Sequence, residues 1–187
     1  MEKIINKELV YDGHLKVYKL TVEFEGKIYY REVVSRFEDY DESVAAFVFN
    51  TKTEKAIFIQ QFRAGTVHSD NHFVLECVAG TLKKGEDPTD CIKREIEEEI
   101  GYKTDSATYM GVYYMAVGSS AEKIHLYMVE VSEKVADGGG LADENERIDL
   151  IEYNTSVVLN LNTNDLKTQC LIERFKVNYI KEYYYEG

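Results

Sequence analysis

The chain has no tryptophan, a single proline, three cysteines and no run of positive charge. Each shortage excludes something. The cysteines (Cys77, Cys91 and Cys170) are odd in number and scattered, with no C-x-x-C or zinc-type spacing. That argues against a disulfide scaffold and a structural zinc site, and they read as small buried residues in a reducing compartment. Lys and Arg number 22 against 34 Asp and Glu, a formal net charge of −12. Such a surface repels a long nucleic-acid backbone, while a phosphorylated small molecule can still bind if divalent cations stand between. No apolar run approaches the ~20 residues of a membrane span, and Met1–Val10 lacks the apolar core of a secretory signal. The expectation is a cytoplasmic protein without nucleic-acid or membrane partners.

What is present suits a folded domain. Hydrophobic residues make up 44% of 187, enough for a real core. Leu15–Phe24 and Lys27–Ser35 read as a β-hairpin turned at Glu25-Gly26. Phe37–Ser43 is acidic and turn-like, a boundary between a small N-terminal piece (1–37) and the main domain (38–187). Val44–Asn50 and Lys55–Phe62 form a second strand pair. Phe73–Val78, Tyr109–Met115, Ile124–Val131 and Leu150–Tyr153 are further strands, and Ala136–Glu146 is a polar loop opened by Gly138-Gly139-Gly140. Two segments read as helices. Asp87 is an N-cap with Pro88 at the first helical position, Ile92, Ile96 and Ile100 make an apolar stripe, and Gly101 closes the end. The second, about Asp165–Tyr183, carries Leu171, Phe175 and Tyr179 on one face. The order implies an α+β fold, an α/β/α sandwich.

The chemistry concentrates in GTLKKGEDPTDCIKREIEEEIGY, residues Gly80–Tyr102. Glu95, Glu98 and Glu99 stand at i, i+3 and i+4, so three carboxylates share one helical face. Their mutual repulsion costs helix stability, which a plain solvated face has no need to bear and a site for hard cations does. Arg94 can orient a carboxylate through a forked bond. Ala79-Gly80 leads into a loop carrying Glu86, which brings another carboxylate and a backbone carbonyl towards the helix.

This segment resembles the Nudix box, G-x5-E-x7-R-E-U-x-E-E-x-G-U, where U is a bulky aliphatic residue. Every fixed position is matched, and Tyr102 departs from the pattern only at the last U, a packing site. The resemblance implies a mixed sheet between helices, a separate small N-terminal antiparallel sheet and Mg²⁺ (or Mn²⁺) as cofactor. It places metal on Glu95, Glu98, Glu99 and the carbonyl of Ala79, with Gly80, Glu86, Arg94 and Gly101 holding the motif together. From about Arg31 onward the chain is similar to ADP-ribose pyrophosphatases and GDP-mannose hydrolases of that family. Glu76-Cys77-Val78-Ala79-Gly80 resembles their E-x-x-A-G strand end, with Val78 for the usual proline. Gln61-Phe62-Arg63 resembles a segment whose arginine, here Arg63, meets substrate phosphate. Gly139–Glu146 resembles an acidic loop that supplies a catalytic glutamate, Glu144 or next Glu146, working with Glu99. Glu122, in Ser119-Ser120-Ala121-Glu122, is similar to a residue beside the metals, although Val117 replaces a proline there. The resemblance implies a homodimer acting on a nucleoside diphosphate sugar, ADP-ribose ahead of GDP-mannose. A sensor that binds without turnover is the rival from another class. His68 and His72 are four apart but lie in a loop with no third ligand, and His14 and His125 read as structural.

Overall fold

In the computed structural model, residues 2–140 and 147–185 are described, with side chains through Tyr179. Contacts divide the chain into two units, Met1–Ser43 with Val112–Ile124, and Val44–Gly111 with His125–Gly187.

The first unit carries an antiparallel sheet of β1 (Lys3–Asp12), β2 (Lys16–Phe24) and β3 (Lys27–Ser35), in that order. The expected hairpin is β2–β3, running from Lys16 opposite Ser35 to Phe24 opposite Lys27. Glu25 (φ 49°) and Gly26 (φ 74°) turn it, both in the left-handed region a two-residue hairpin loop requires. Strand β1 is an addition to the sequence reading. It is exposed along its whole length, so it lacks the in–out alternation by which a strand is recognised. The segment Ser119–Ala121 is tied to β3, with Val34 N–H donating to the Ser119 carbonyl at 2.8 Å and Ala121 N–H to the Val34 carbonyl at 3.1 Å.

A second, mixed sheet has the order β10 (Ile148–Asn154), β5 (Lys55–Phe62), β4 (Glu42–Asn50), β9 (Lys123–Val131) and β8 (Thr108–Tyr114). Two short strands join it, β6 (Phe73–Glu76) on β5 and β7 (Val78–Thr81) on β4. The sequence expectation was one strand, Phe73–Val78. The chain changes partners at Cys77, whose N–H bonds the Thr168 hydroxyl at 2.7 Å instead of a neighbouring strand.

Helix α1 (Pro88–Glu95) starts where Asp87 accepts the Thr89 N–H at 2.8 Å and continues as a π-type turn, Ile96–Ile100. Its stripe Ile92, Ile96 and Ile100 is fully buried against Val44, Ala46, Val48, Ile57 and Ile59. Each such side chain contributes about 1.5–3 kcal/mol relative to exposure. The alternate residues Phe47 and Phe58 face the other way, where Phe175 of α3 (Leu166–Tyr185) stacks on Phe47 at 4.6 Å. A short α2 (Thr155–Val158) precedes α3. The sheet therefore lies between α1 and α3, the expected α/β/α sandwich in an α+β fold.

Candidate active site

Arg94 organises the acidic face of α1. Its Nε and Nη2 donate to the two oxygens of Glu86 at 3.0 and 3.2 Å, and its Nη1 donates to Glu95 at 2.7 Å and Glu98 at 2.8 Å. One guanidinium thus draws together three carboxylates from a loop and two helical turns. The Lys83 N–H adds a bond to Glu86 at 2.8 Å. The Arg94 guanidinium, against a smaller opposing effect of burial, holds the Glu86 carboxyl below its usual range. Glu86 in turn raises Arg94 above its ordinary value, so both stay charged at any working pH.

The remaining box residues close the motif. Glu99 is 4% exposed and accepts the Ala79 N–H at 3.2 Å, which fixes the helix to the end of β7. Gly80 has no room for a side chain, because a Cβ there would sit 1.9 Å from the Glu95 carboxyl carbon. Gly101 ends the helix at φ 75°, and a Cβ on it would meet the Ala136 carbonyl oxygen at 2.1 Å. Here the chain crosses itself. Val135 and Ala136 donate to the Gly101 carbonyl at 2.7 and 3.1 Å, Gly139 to Glu99 at 2.8 Å and Gly140 to Glu98 at 3.2 Å. The free carbonyls at the helix end are therefore capped by the start of the loop that continues towards Glu144. Glu144 and Glu146 themselves lie outside the described residues.

The donor set suits a divalent ion: three carboxylates, hard oxygen ligands, at one strand–helix junction with a backbone carbonyl at Ala79. Among the described residues no three acidic, His or Cys side chains are disposed around a common point. The reason is visible, since the oxygens of Glu95 and Glu98 are turned onto one nitrogen of Arg94. Two anionic oxygens already converge on a cationic centre there.

The other expected site residues fall into separate groups. Arg63 lies just past β5 and grips Glu76 in β6 with Nε at 2.5 Å and Nη2 at 3.1 Å. Glu76 is 3% exposed and also contacts Lys167 of α3, which bonds Asp165 at 2.9 Å. Burial alone would depress Lys167, yet Cys77, Glu76 and Asp165 outweigh it and raise its pKa. Glu122 belongs to the first unit, where its Oε1 accepts from Ser43 at 2.7 Å and Arg36 at 2.9 Å. His72 bonds the Thr66 hydroxyl at 2.9 Å, and His125 lies against Tyr109; both are structural. A cleft of about 590 Å³ lies between residues 65–71 and 162–164 and is lined by none of the box carboxylates. Sequence reasoning assigned no role to Lys167 or Asp165; no motif marks them, and they meet Glu76 from some ninety positions away.

Comparison with known proteins agrees with this geometry. The chain is 33% identical over 155 residues to a methanol dehydrogenase activator of Bacillus methanolicus, covering 81% of this chain and 77% of that protein. It is 31% identical over 155 residues to an ADP-ribose pyrophosphatase of Haemophilus influenzae, covering 78% and 70%. A GDP-mannose pyrophosphatase of Escherichia coli K12 is 27% identical over 188 residues, covering 96% and 97%. The fold superposes on the crystal structure of an ADP compounds hydrolase with a TM-score of 0.78 over 100% of this chain and 97% of that one, at 19% identity. The model of the NUDIX domain matches residues 39–165. With its box complete from Gly80 to Gly101 and assembled around Arg94, the chain belongs to the Nudix family.

Proposed function

We propose that the chain is a Mg²⁺-dependent pyrophosphatase of nucleoside diphosphate sugars, working as a cytoplasmic homodimer. ADP-ribose is the substrate named first, cleaved to AMP and ribose 5-phosphate. The observation that carries the reading is the gathering of Glu86, Glu95 and Glu98 by one guanidinium, with Glu99 seated on Ala79 beside them. A solvated acidic face has no such internal order. Retention of every box carboxylate also speaks for turnover over mere binding.

Glu95, Glu98, Glu99 and the Ala79 carbonyl would hold Mg²⁺, with Mn²⁺ as the alternative. The bound ion neutralises diphosphate charge and makes a coordinated water more acidic. Glu86 and Arg94 keep the loop on the helix so that the carboxylates hold their spacing. Arg63, 40% exposed at its side chain, meets remaining phosphate charge. Glu122 is assigned to substrate binding, and Glu144, or next Glu146, to orienting or deprotonating the attacking water. The apolar residues exposed on β1 and β3, among them Ile4, Leu9, Tyr11, Ile28 and Tyr30, support a second protomer covering the N-terminal sheet. The three free cysteines accord with a reducing compartment.

A second reading, GDP-mannose as substrate, is favoured by the match to a GDP-mannose pyrophosphatase over 96% of the chain, N-terminal sheet included. Hydrolysis of ADP-ribose, GDP-mannose, UDP-glucose, ADP-glucose and NADH with Mg²⁺, beside Glu99→Gln, separates the readings. The expected result is one substrate turned over far faster than the rest and lost in the variant. Undiminished turnover by Glu99→Gln would overturn the metal assignment.

A further inference from the structure

We infer that Lys167 is a positioning residue for Arg63, acting through the buried carboxylate of Glu76; this rests on the reading of Arg63 as a phosphate-binding group. Glu76 is 3% exposed, and a carboxylate so far out of water requires paired charges and saturated oxygens. Arg63 supplies a two-pronged grip, Nε on Oε1 and Nη2 on Oε2. Lys167 takes the same Oε2, at the most buried end of the group. Side-chain exposure is 40% for Arg63 but 12% for Lys167 and 3% for Glu76. Arg63 is therefore the face this group presents, and Lys167 its hidden anchor.

The anchor is itself set by the fold. Asp165 accepts the Thr168 N–H at 3.0 Å, capping the first turn of α3, and bonds Lys167 at 2.9 Å. The Thr168 hydroxyl accepts the Cys77 N–H at 2.7 Å, one residue beyond Glu76. The first turn of α3 is thus fastened to the strand that carries Glu76, and Lys167 reaches its carboxylate from a rigid base. Two consequences follow for Arg63. The fork geometry of its guanidinium is held by a carboxylate that cannot swing. And because Glu76 divides its charge between two cations, Arg63 keeps net positive character with which to meet an anion. A lone Arg63–Glu76 pair would be neutral.

The test uses the full-length enzyme and whichever of ADP-ribose and GDP-mannose it hydrolyses faster. Lys167→Met is expected to raise KM roughly tenfold, the scale of losing a charge-assisted hydrogen bond, with a smaller change in kcat. Lys167→Arg, which restores a cation at that oxygen, is expected to recover most of the loss, and it keeps the test open if the Met variant folds poorly. In Glu76→Gln the further change Lys167→Met should add nothing, because both act through one group. Multiplying losses in that pair, or an unchanged KM in Lys167→Met while Arg63→Met raises it, would overturn the inference and leave the role of Arg63 standing. An unchanged KM in Arg63→Met would instead remove the reading on which the inference rests, and the inference with it.

Discussion

Arg94 shows how much of the site depends on the shape of one side chain. Its planar fork reaches Glu86 with one edge while Nη1 serves Glu95 and Glu98; a lysine offers one point charge and no fork. Arg94→Lys should lower kcat/KM roughly tenfold to a hundredfold, the usual penalty for disturbing groups that orient metal ligands. Steady-state kinetics across a Mg²⁺ titration would show it, with the loss partly recovered at high Mg²⁺. Gly80→Ala tests a contact that only glycine permits. With the Glu95 carboxyl 1.9 Å from the new methyl, Glu95 must move. The expected outcome is a stability loss of about 1–3 kcal/mol, as for other overpacked positions, together with weaker metal activation, read by urea unfolding and by the Mg²⁺ midpoint. The roles of Glu95, Glu98 and Glu99 were legible in the sequence because i, i+3, i+4 spacing puts them on one face. The bond between Arg94 and two of those carboxylates was only half legible: an arginine beside a cluster predicts one fork, and the structure has it serving three acids.

Among the elements, strands with their own alternation or turn signals were read well. Lys27–Ser35 and Lys55–Phe62 appear with those bounds, and α1 begins at Pro88 after its Asp87 cap. What the sequence left hidden depends on distant partners. The break between β6 and β7 comes from the Thr168 hydroxyl capturing the Cys77 N–H, 91 residues away. The capping of α1 by Gly139 and Gly140 likewise joins segments that no local pattern connects, so the three glycines read only as a hinge. Gly138→Ala probes that junction, since its φ of 72° is unfavourable for alanine and its Cβ would meet the Ile100 carbonyl carbon at 2.7 Å. We expect a cost of about 1–3 kcal/mol from strain and faster amide exchange at Gly139 and Gly140, measured by hydrogen exchange. Unchanged exchange at both amides would contradict the capping role.

For the molecule as a whole, titration of the thiols gives a pH dependence with a definite sign. Burial, the largest effect at each, pushes Cys77 and Cys91 from 9.0 up to about 12. In the unfolded chain the same thiols lose their protons near the ordinary value, so between about pH 9 and pH 12 the unfolded state binds fewer protons than the folded one. Stability must then fall as pH rises through that window, which denaturation midpoints at pH 8, 9.5 and 10.5 would reveal. In the native protein near pH 8, Cys170, only partly buried, should react with a thiol reagent well before the other two.

The two backbone crossings at Gly80 and Gly101 also explain why the motif tolerates no change of length. Gly80 lies under Glu95, and Gly101 lies against Ala136 and Gly138; the loop and helix between them are a strut of fixed length between two points of contact. One inserted residue in α1 would rotate everything beyond it by about 100°, carrying carboxylates off the face they share while one crossing or the other came apart. Substitutions can be absorbed at many positions of this segment, as Tyr102 at an aliphatic position illustrates. Insertions and deletions cannot, and so the spacing of the box, more than any single letter in it, is what descent within this family has had to preserve.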